Sequence, residues 1–562
     1  MKKIVTTLCA LTLCLGVFAQ PGMIPQNVIL TARANNPIMY GGPTRAEGRS
    51  YNFTPVFFIY PDMKLDKEGA AKLLEELDIQ PLLDSEYGTA MVVNPVGDQY
   101  AAGTDFDAFV NLFNASRGPG NLKVVGIGRG ATFVNQVIAP KAAGQVAGIL
   151  SIDGKPGKSV DPAGVPAYIA GKGKAAAKAV KPYLEANAGH RDEPLLKVFV
   201  NSTPGSLKEV FAEAWKEVLG LNYRFNNYNH THYEGAEFGE YGSYELEPYL
   251  DCESLGIKRI IVEQPAGQRG PQGQDVPKQL WYEYWPVALL EGAPAKSVPV
   301  MVLLHGNQND PRTQAETSGF IQLAGEEHFF VVEMEWQGTP NYQAMGHDGI
   351  EAVLYQLFAK YPQLDPSRVY AEGLSAGSIT ATALGIKKSH LFTAVGGHSG
   401  GIFGGPFKGY TSFDILWAEA TQKRGAVEVP YCSVFGTKDN VVPYIRPDNW
   451  KDNNYLNAWK AYEQMNGMEV VREIDFSVDR VFGQEVRDRE TIVTNKGDGI
   501  IIETGQLYKG DIPMIRLVAV MDYGHWNFMP TARIMWDFFK QYRRDPETKK
   551  LIYVGNGRMF QE

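Results

Sequence analysis

Gly373-Leu374-Ser375-Ala376-Gly377 is a G-x-S-x-G pentad. Where a strand turns sharply into a helix, such glycines remove side chains that would collide, and the serine hydroxyl is left exposed at the carboxyl edge of the sheet. A serine hydroxyl is a weak nucleophile at neutral pH and needs an adjacent base, itself oriented by an acid. Both follow in the order serine, acid, histidine. Asp439 stands in Gly436-Thr437-Lys438-Asp439-Asn440-Val441-Val442-Pro443, directly beyond an apolar run, and His525 stands in Asp522-Tyr523-Gly524-His525-Trp526, between the last apolar run and the last helical stretch. Ser375, Asp439 and His525 are therefore the candidate nucleophile, acid and base of covalent acyl transfer. Negative charge built on a carbonyl oxygen needs two N–H donors. Ala376 supplies one, and the loop Leu303-Leu304-His305-Gly306-Asn307 supplies the other, at Asn307. Taken alone, the pentad also reads as a serine capping a helix at a glycine turn.

Other residues compete for these roles. Asp522, three residues before His525, reads as a local cap rather than the orienting acid. His305 is expected to shape the oxyanion loop and line the pocket, and His398, in the loop Gly396-Gly397-His398-Ser399-Gly400-Gly401, to be solvated or pocket-lining. Trp526, beside the base, and Trp336 are further pocket candidates; Tyr342, Trp417 and Trp450 lie near the same expected edge, where an aromatic face would hold a phenolic group or a sugar ring. His230 and His232 form an H-x-H pair without a third ligand nearby, so no metal site and no cofactor are expected.

Three distant residues converge only if the chain alternates strands and helices. From Val298 it does: strand-like Val298–Leu304, helical Gln314–Gly325, strand-like Phe329–Trp336, helical Asp348–Tyr361, strand-like Arg368–Glu372, helical Ser375–Gly385, then strand-like Leu391–Gly396, Val429–Phe435 and Ile515–Met521 before a closing helix over Pro530–Tyr542. Lys258–Glu263 and Gln279–Leu290 read as an antiparallel pair ahead of these. The earlier half runs through the same plan: Val56–Tyr60, Leu65–Leu77, Ala90–Asn94, Phe106–Phe113 and Leu122–Gly126. Gly126-Ile127-Gly128-Arg129-Gly130-Ala131-Thr132 then aligns with the pentad region, placing Gly128 where Ser375 stands. The fold class expected is α/β, in two similar domains of mostly parallel sheet flanked by helices.

Composition agrees with a large globular chain. Of 562 residues 44% are hydrophobic and 21% charged, and a single core is not expected beyond roughly 250–300 residues. Net charge is −9 and no Lys/Arg block tracks a phosphate backbone, so nucleic acid is not an expected partner. Met1-Lys2-Lys3, the apolar stretch Ile4 to Phe18 and Val17-Phe18-Ala19 read as an export signal, too short to span a bilayer; Leu13 before Cys14 argues against lipidation. The expected division is a signal over 1–19, an N-terminal segment over 20–46, a first domain over 47–225, a linker over 226–249 and a catalytic domain over 250–562. With Cys9 and Cys14 in the signal, Cys252 and Cys432 allow one bridge at most, and Cys432 reads as core filling.

On these residues the later half resembles the α/β-hydrolase superfamily, and within it the secreted polyhydroxybutyrate-depolymerase and feruloyl-esterase-like group, over roughly residues 250–545. The resemblance rests on Leu304-His305-Gly306, on Asp365-Pro366-Ser367-Arg368-Val369-Tyr370 leading into the pentad, on Gly436-Thr437-Lys438-Asp439 with Val442-Pro443, and on Gly524-His525-Trp526. It implies cleavage of a carboxylic ester, small or polymer-linked, by an acyl-serine intermediate. Gly467–Pro513 departs from the pattern in its length. The earlier half resembles a hydrolase that has lost its groups: Gly128 replaces the nucleophile, Gly171-Lys172-Gly173-Lys174 lacks the acid, Asn201-Ser202-Thr203-Pro204 lacks the histidine, and Tyr60-Pro61-Asp62 replaces the His-Gly loop. Packing support or contact in a homodimer is its expected role, with grip on an extended substrate as the other. A serine peptidase of the same superfamily and a non-catalytic binding protein are the alternative functions.

Overall fold

The structure, a computed structural model, describes residues 24–35 and 54–555 apart from 87, 117–118, 191–193, 226–244, 265–277, 308, 310, 339–341, 406–411, 423–426, 440 and 496–498. The expected signal over 1–19, His230 and His232 and most of the expected linker lie outside the described residues. The chain divides into two compact units between Tyr249 and Leu250.

In the first unit, seven strands are β1 (Val28–Arg33), β2 (Val56–Tyr60), β3 (Thr89–Val93), β4 (Leu122–Ile127), β5 (Gly148–Ile152), β6 (Ala167–Ala170) and β7 (Val198–Asn201), in the sheet order β1-β3-β2-β4-β5-β6-β7. Only the β1–β3 pairing is antiparallel. Val56-Phe57-Phe58-Ile59-Tyr60 is buried along its whole length, as a strand covered on both faces must be. A short antiparallel pair, β8 (Asn222–Phe225) with β9 (Glu245–Pro248), follows, so the end of the expected linker is a strand of this unit.

The second unit repeats the order. Its strands are β10 (Ile257–Gln264), β11 (Gln279–Pro286), β12 (Val298–Leu304), β13 (Phe330–Met334), β14 (Leu364–Gly373), β15 (Ala394–His398), β16 (Tyr431–Gly436), β17 (Arg487–Val493), β18 (Ile501–Lys509) and β19 (Ile512–Val520). They form one sheet, β10-β11-β13-β12-β14-β15-β16-β19-β18-β17. Its central run from β11 to β19 matches the first unit strand for strand, with the antiparallel strand first and the rest parallel. The long stretch Gly467–Pro513 provides β17 and β18, which add an antiparallel hairpin beyond β19. Both units are thus mixed, mostly parallel sheets flanked by helices.

The expected helix Gln314–Gly325 is two helices, Pro311–Thr317 and Phe320–Glu327. Gly319 between them has φ 86°, and a Cβ there would lie 2.9 Å from the carbonyl oxygen of Met529, so the break lets the loop after His525 pack closely. Cys252 and Cys432 are both free thiols. Among the described residues no helix is long and apolar enough to cross a membrane.

Candidate functional site

Strand β14 ends at Gly373, and the helix Ala376–Lys387 begins three residues later. Between them Ser375 holds φ 53° and ψ −115°, a region that side chains rarely enter and that marks a strained turn. Its backbone is fixed on both sides: its N–H donates to the carbonyl of His398 at 2.8 Å, and its carbonyl accepts from Ile379 at 3.0 Å. The need for glycine at the flank is direct, since a Cβ on Gly377 would lie 1.9 Å from the carbonyl oxygen of Leu304.

The acid comes from the end of β16. Asp439 Oδ1 accepts the N–H groups of Val441 and Val442, both at 2.8 Å, which fixes the carboxylate and leaves Oδ2 for another partner. The base comes from the loop after β19. That loop is held against the acid loop by Lys438 N–H on the carbonyl of Tyr523 (2.9 Å) and by Asp522 N–H on Thr437 Oγ1 (2.8 Å). The approach is close enough that a Cβ on Gly436 would meet the Tyr523 carbonyl oxygen at 2.3 Å.

These ties bring three sites together. His525 Nδ1 lies 2.8 Å from Asp439 Oδ2, and His525 Nε2 lies 2.9 Å from Ser375 Oγ. A carboxylate only accepts, so it selects the tautomer with the proton on Nδ1; Nε2 is then bare and accepts from the serine hydroxyl. The pairs are 86 and 150 residues apart in sequence. Asp522 faces solvent instead, 3.2 Å from Lys438 Nζ.

Ala376 is the first residue of its helix, so its N–H has no acceptor within the helix and is free of that ladder. Asn307 is exposed, and its Oδ1 accepts from Gln337 Nε2 at 3.1 Å. The intervening Gly306 lies over the elbow, where a Cβ would come 3.5 Å from the Leu374 carbonyl oxygen. His305 is wholly buried beneath this loop, with Nδ1 2.9 Å from the Gly306 carbonyl and Nε2 3.4 Å from Glu335 Oε1. Trp336 packs on it and donates its indole N–H to the His305 carbonyl at 3.0 Å, so both residues shape the loop from below. Trp526 is buried next to the base. Tyr342 hydrogen-bonds Glu263, Trp417 packs on Phe413, and Trp450 is half-buried with the Lys451 ammonium over its ring.

His398 is not a solvated loop residue. It is the last residue of β15, 2% exposed, because the strand runs two residues further than its glycines suggest. Its Nδ1 lies 3.0 Å from Ser399 Oγ, and burial, with a smaller contribution from His525, pushes its pKa down to about 3, so it is neutral beside the site. Sequence reasoning also passed over Glu372, Gln314 and Asn527, buried polar residues joined by hydrogen bonds beneath the elbow. The one local sign was a glutamate ending the apolar run Val369-Tyr370-Ala371.

Residues 284–431 match the family model described as Esterase PHB depolymerase. That span contains Ser375, Ala376 and Asn307; Asp439 and His525 lie beyond it and are placed by the geometry alone. No curated protein matches the chain. Similar solved structures include an acetyl xylan esterase from Aspergillus awamori (TM-score 0.34, 15% identity, 50% of this chain and 99% of that one). They also include a ferulic acid esterase (0.29, 18%, 38% and 88%) and an acylaminoacyl peptidase in complex with Z-Gly-Gly-Phe-chloromethyl ketone (0.26, 14%, 40% and 39%). Over residues 284–431 the second unit thus resembles the Esterase PHB depolymerase family, its mostly parallel sheet is that of an α/β-hydrolase, and the chain is a carboxylic ester hydrolase.

Proposed function

We propose that the chain hydrolyses carboxylic esters through an acyl-serine intermediate at Ser375. The observation that carries this reading is His525 bridging the serine hydroxyl at 2.9 Å and the Asp439 carboxylate at 2.8 Å. As Ser375 Oγ bonds to the ester carbonyl carbon, its proton passes to His525 Nε2, and Asp439 stabilises the imidazolium from the Nδ1 side. The carbonyl oxygen takes the negative charge, held by the N–H groups of Ala376 and Asn307. Collapse breaks the bond to the alcohol, which leaves with the proton from Nε2. Water then attacks the acyl-serine, giving its proton to His525, and the acid is released with Ser375 restored.

The substrate class in this reading is an aryl ester of the feruloyl type or a polymeric hydroxyalkanoate ester, with Trp526, the residue after the base, as its aromatic contact. The first unit takes no part in bond cleavage, since glycine stands at its elbow. Export through residues 1–19 is part of the same reading, and N-terminal sequencing of the mature protein checks it.

A fluorophosphonate probe should label Ser375 and fail on Ser375→Ala. Turnover of p-nitrophenyl acetate and methyl ferulate, set against aminoacyl p-nitroanilides, decides ester against amide. Preference for the anilides would make the chain a peptidase, and absence of labelling would remove the nucleophile altogether.

A further inference from the structure

Three residues before the nucleophile, β14 carries an ionisable group inside the core. Glu372 is 2% exposed, and both its oxygens lie within reach of Gln314 Nε2, at 3.2 and 2.8 Å. Gln314 belongs to Pro311–Thr317, the first helix after the Asn307 loop. Its Oε1 lies 2.9 Å from Asn527 Nδ2, and Asn527 stands two residues after His525. Asn527 also reaches Thr317 Oγ1 at 2.9 Å, and its carbonyl accepts from the Tyr523 hydroxyl at 2.7 Å. One buried chain of side chains thus joins the strand leading to Ser375, the helix leaving the oxyanion loop and the loop bearing His525.

The direction of this chain depends on one proton. A neutral carboxyl donates as well as accepts, and needs an acceptor for its O–H. Gln314 Oε1 provides one when its amide is turned over; Nε2 then takes the position 2.9 Å from the Asn527 amide, which must turn as well so that its Oδ1 accepts. An ionised carboxylate only accepts, so both amides must face the other way. Burial pushes the Glu372 carboxyl up to about 8, against the opposing donation of Gln314, so it holds its proton at neutral pH.

No described neighbour offsets a negative charge there. From β16 comes the Cys432 thiol, itself pushed up to about 12 by burial, with Arg516 and Glu372 as lesser influences. On β15, His398 is neutral. Arg312, on the helix of Gln314, is engaged by Glu316. The helix Pro530–Phe539 packs Trp536 and Phe539 on Tyr370, while its Arg533 and Asp537 pair near the surface with Glu326, Glu327 and Lys540.

We propose that Glu372 is a positioning residue whose proton keeps the oxyanion loop and the His525 loop in register with Ser375, so that ester hydrolysis fails when that proton is lost. The inference rests on the triad reading above.

The test is the pH dependence of kcat and KM for an uncharged ester between about pH 6 and pH 10, with fluorophosphonate labelling of Ser375 in parallel. In the wild type, kcat should fall at least tenfold by about pH 9.5, with the midpoint near 8. Glu372→Gln keeps a neutral donor and acceptor, and should hold its neutral-pH kcat without the alkaline fall and with KM unchanged. Gln314→Leu cuts the chain while leaving the carboxyl, and should be slow at every pH. Parallel profiles for wild type and Glu372→Gln, a folded but inactive Glu372→Gln, or a normal kcat in Gln314→Leu would each overturn the inference. Should Glu372→Gln not fold, the wild-type limb and Gln314→Leu decide. Labelling that survives with no alkaline fall sinks this inference alone, whereas no labelling at any pH sinks the triad reading.

Discussion

Ser375 and Gly128 hold the same backbone conformation, φ 53° and ψ −115° in one, φ 56° and ψ −111° in the other. The hydrogen bonding matches as well: Gly128 N–H donates to the Ile152 carbonyl at 2.8 Å, and its carbonyl accepts from Thr132 at 3.0 Å. The first unit has the same elbow with glycine in place of the serine. Asp62 occupies the space beside it, its Oδ1 accepting the Arg129 N–H at 2.8 Å, the group that corresponds to Ala376 N–H.

The shared conformation separates strain from chemistry at the nucleophile. A non-glycine residue held at this φ costs about 1–3 kcal/mol, partly offset in glycine by its looser unfolded chain, at about 0.5–1 kcal/mol. Ser375→Ala keeps the Cβ and the strain, whereas Ser375→Gly relieves it. Both variants should be inactive, and Ser375→Gly should be the more stable by about 1 kcal/mol in denaturant unfolding. Equal midpoints would show that the surrounding fold, rather than the residue, absorbs the strain.

Restoring serine to the first unit should not restore a nucleophile. A Cβ at Gly128 would sit 2.2 Å from Asp62 Oδ1, so Gly128→Ser must both adopt the strained φ and expel the carboxylate from the Arg129 N–H. The expected cost is about 1–3 kcal/mol. Adding Asp62→Ala should recover part of it, because the collision is removed, and neither variant should gain fluorophosphonate labelling at residue 128, since β6 ends without an acid and β7 without a histidine. Labelling there by mass spectrometry would mean that the first unit supplies a base from elsewhere.

Which parts of this were readable follows from how local each one is. Continuous apolar runs gave β2 and β12 at their true ends, because a strand buried on both faces needs no partner to declare itself. The meeting of Ser375, Asp439 and His525 was readable because each sits beside a strand end in a glycine-marked turn. β1 was missed because Val28–Arg33 is an edge strand, half-buried throughout and without a strong pattern. Helix Gln314–Gly325 was read as continuous because the cause of its break, the Met529 carbonyl, is some 200 residues away. The link from Glu372 through Gln314 to Asn527 has no local pattern at all; it exists only once a strand, a helix and a loop meet.

Asp439 sets the imidazole tautomer, and its second oxygen dictates how a conservative change should fail. Oδ1 accepts two backbone N–H groups, so in Asp439→Asn the amide oxygen must stay on that side and the NH2 must face His525 Nδ1. The imidazole then carries its proton on Nε2, where it can no longer accept from Ser375. We expect kcat to fall by roughly 10⁴ with the fold intact, a loss as large as that of a missing triad member. Circular dichroism and ester turnover measured side by side check it, and a loss below about tenfold would mean that the acid is not what orients the base.

Glu372 should also leave a mark on stability that is independent of catalysis. Its folded pKa, near 8, lies above the ordinary carboxylate value, so the folded state binds a proton more tightly than the unfolded chain. The stability due to this group is complete below the unfolded pKa of about 4.3 and is lost as pH rises toward 8, by at most about 1.4 kcal/mol per pH unit. Glu372→Gln has no proton to lose. Its stability relative to wild type should therefore increase steadily from about pH 5 to about pH 8 and level off beyond, as measured by urea unfolding at fixed ionic strength. A difference that does not change with pH would mean that Glu372 is already ionised in the folded protein, held by Gln314 and buried water rather than by its own proton.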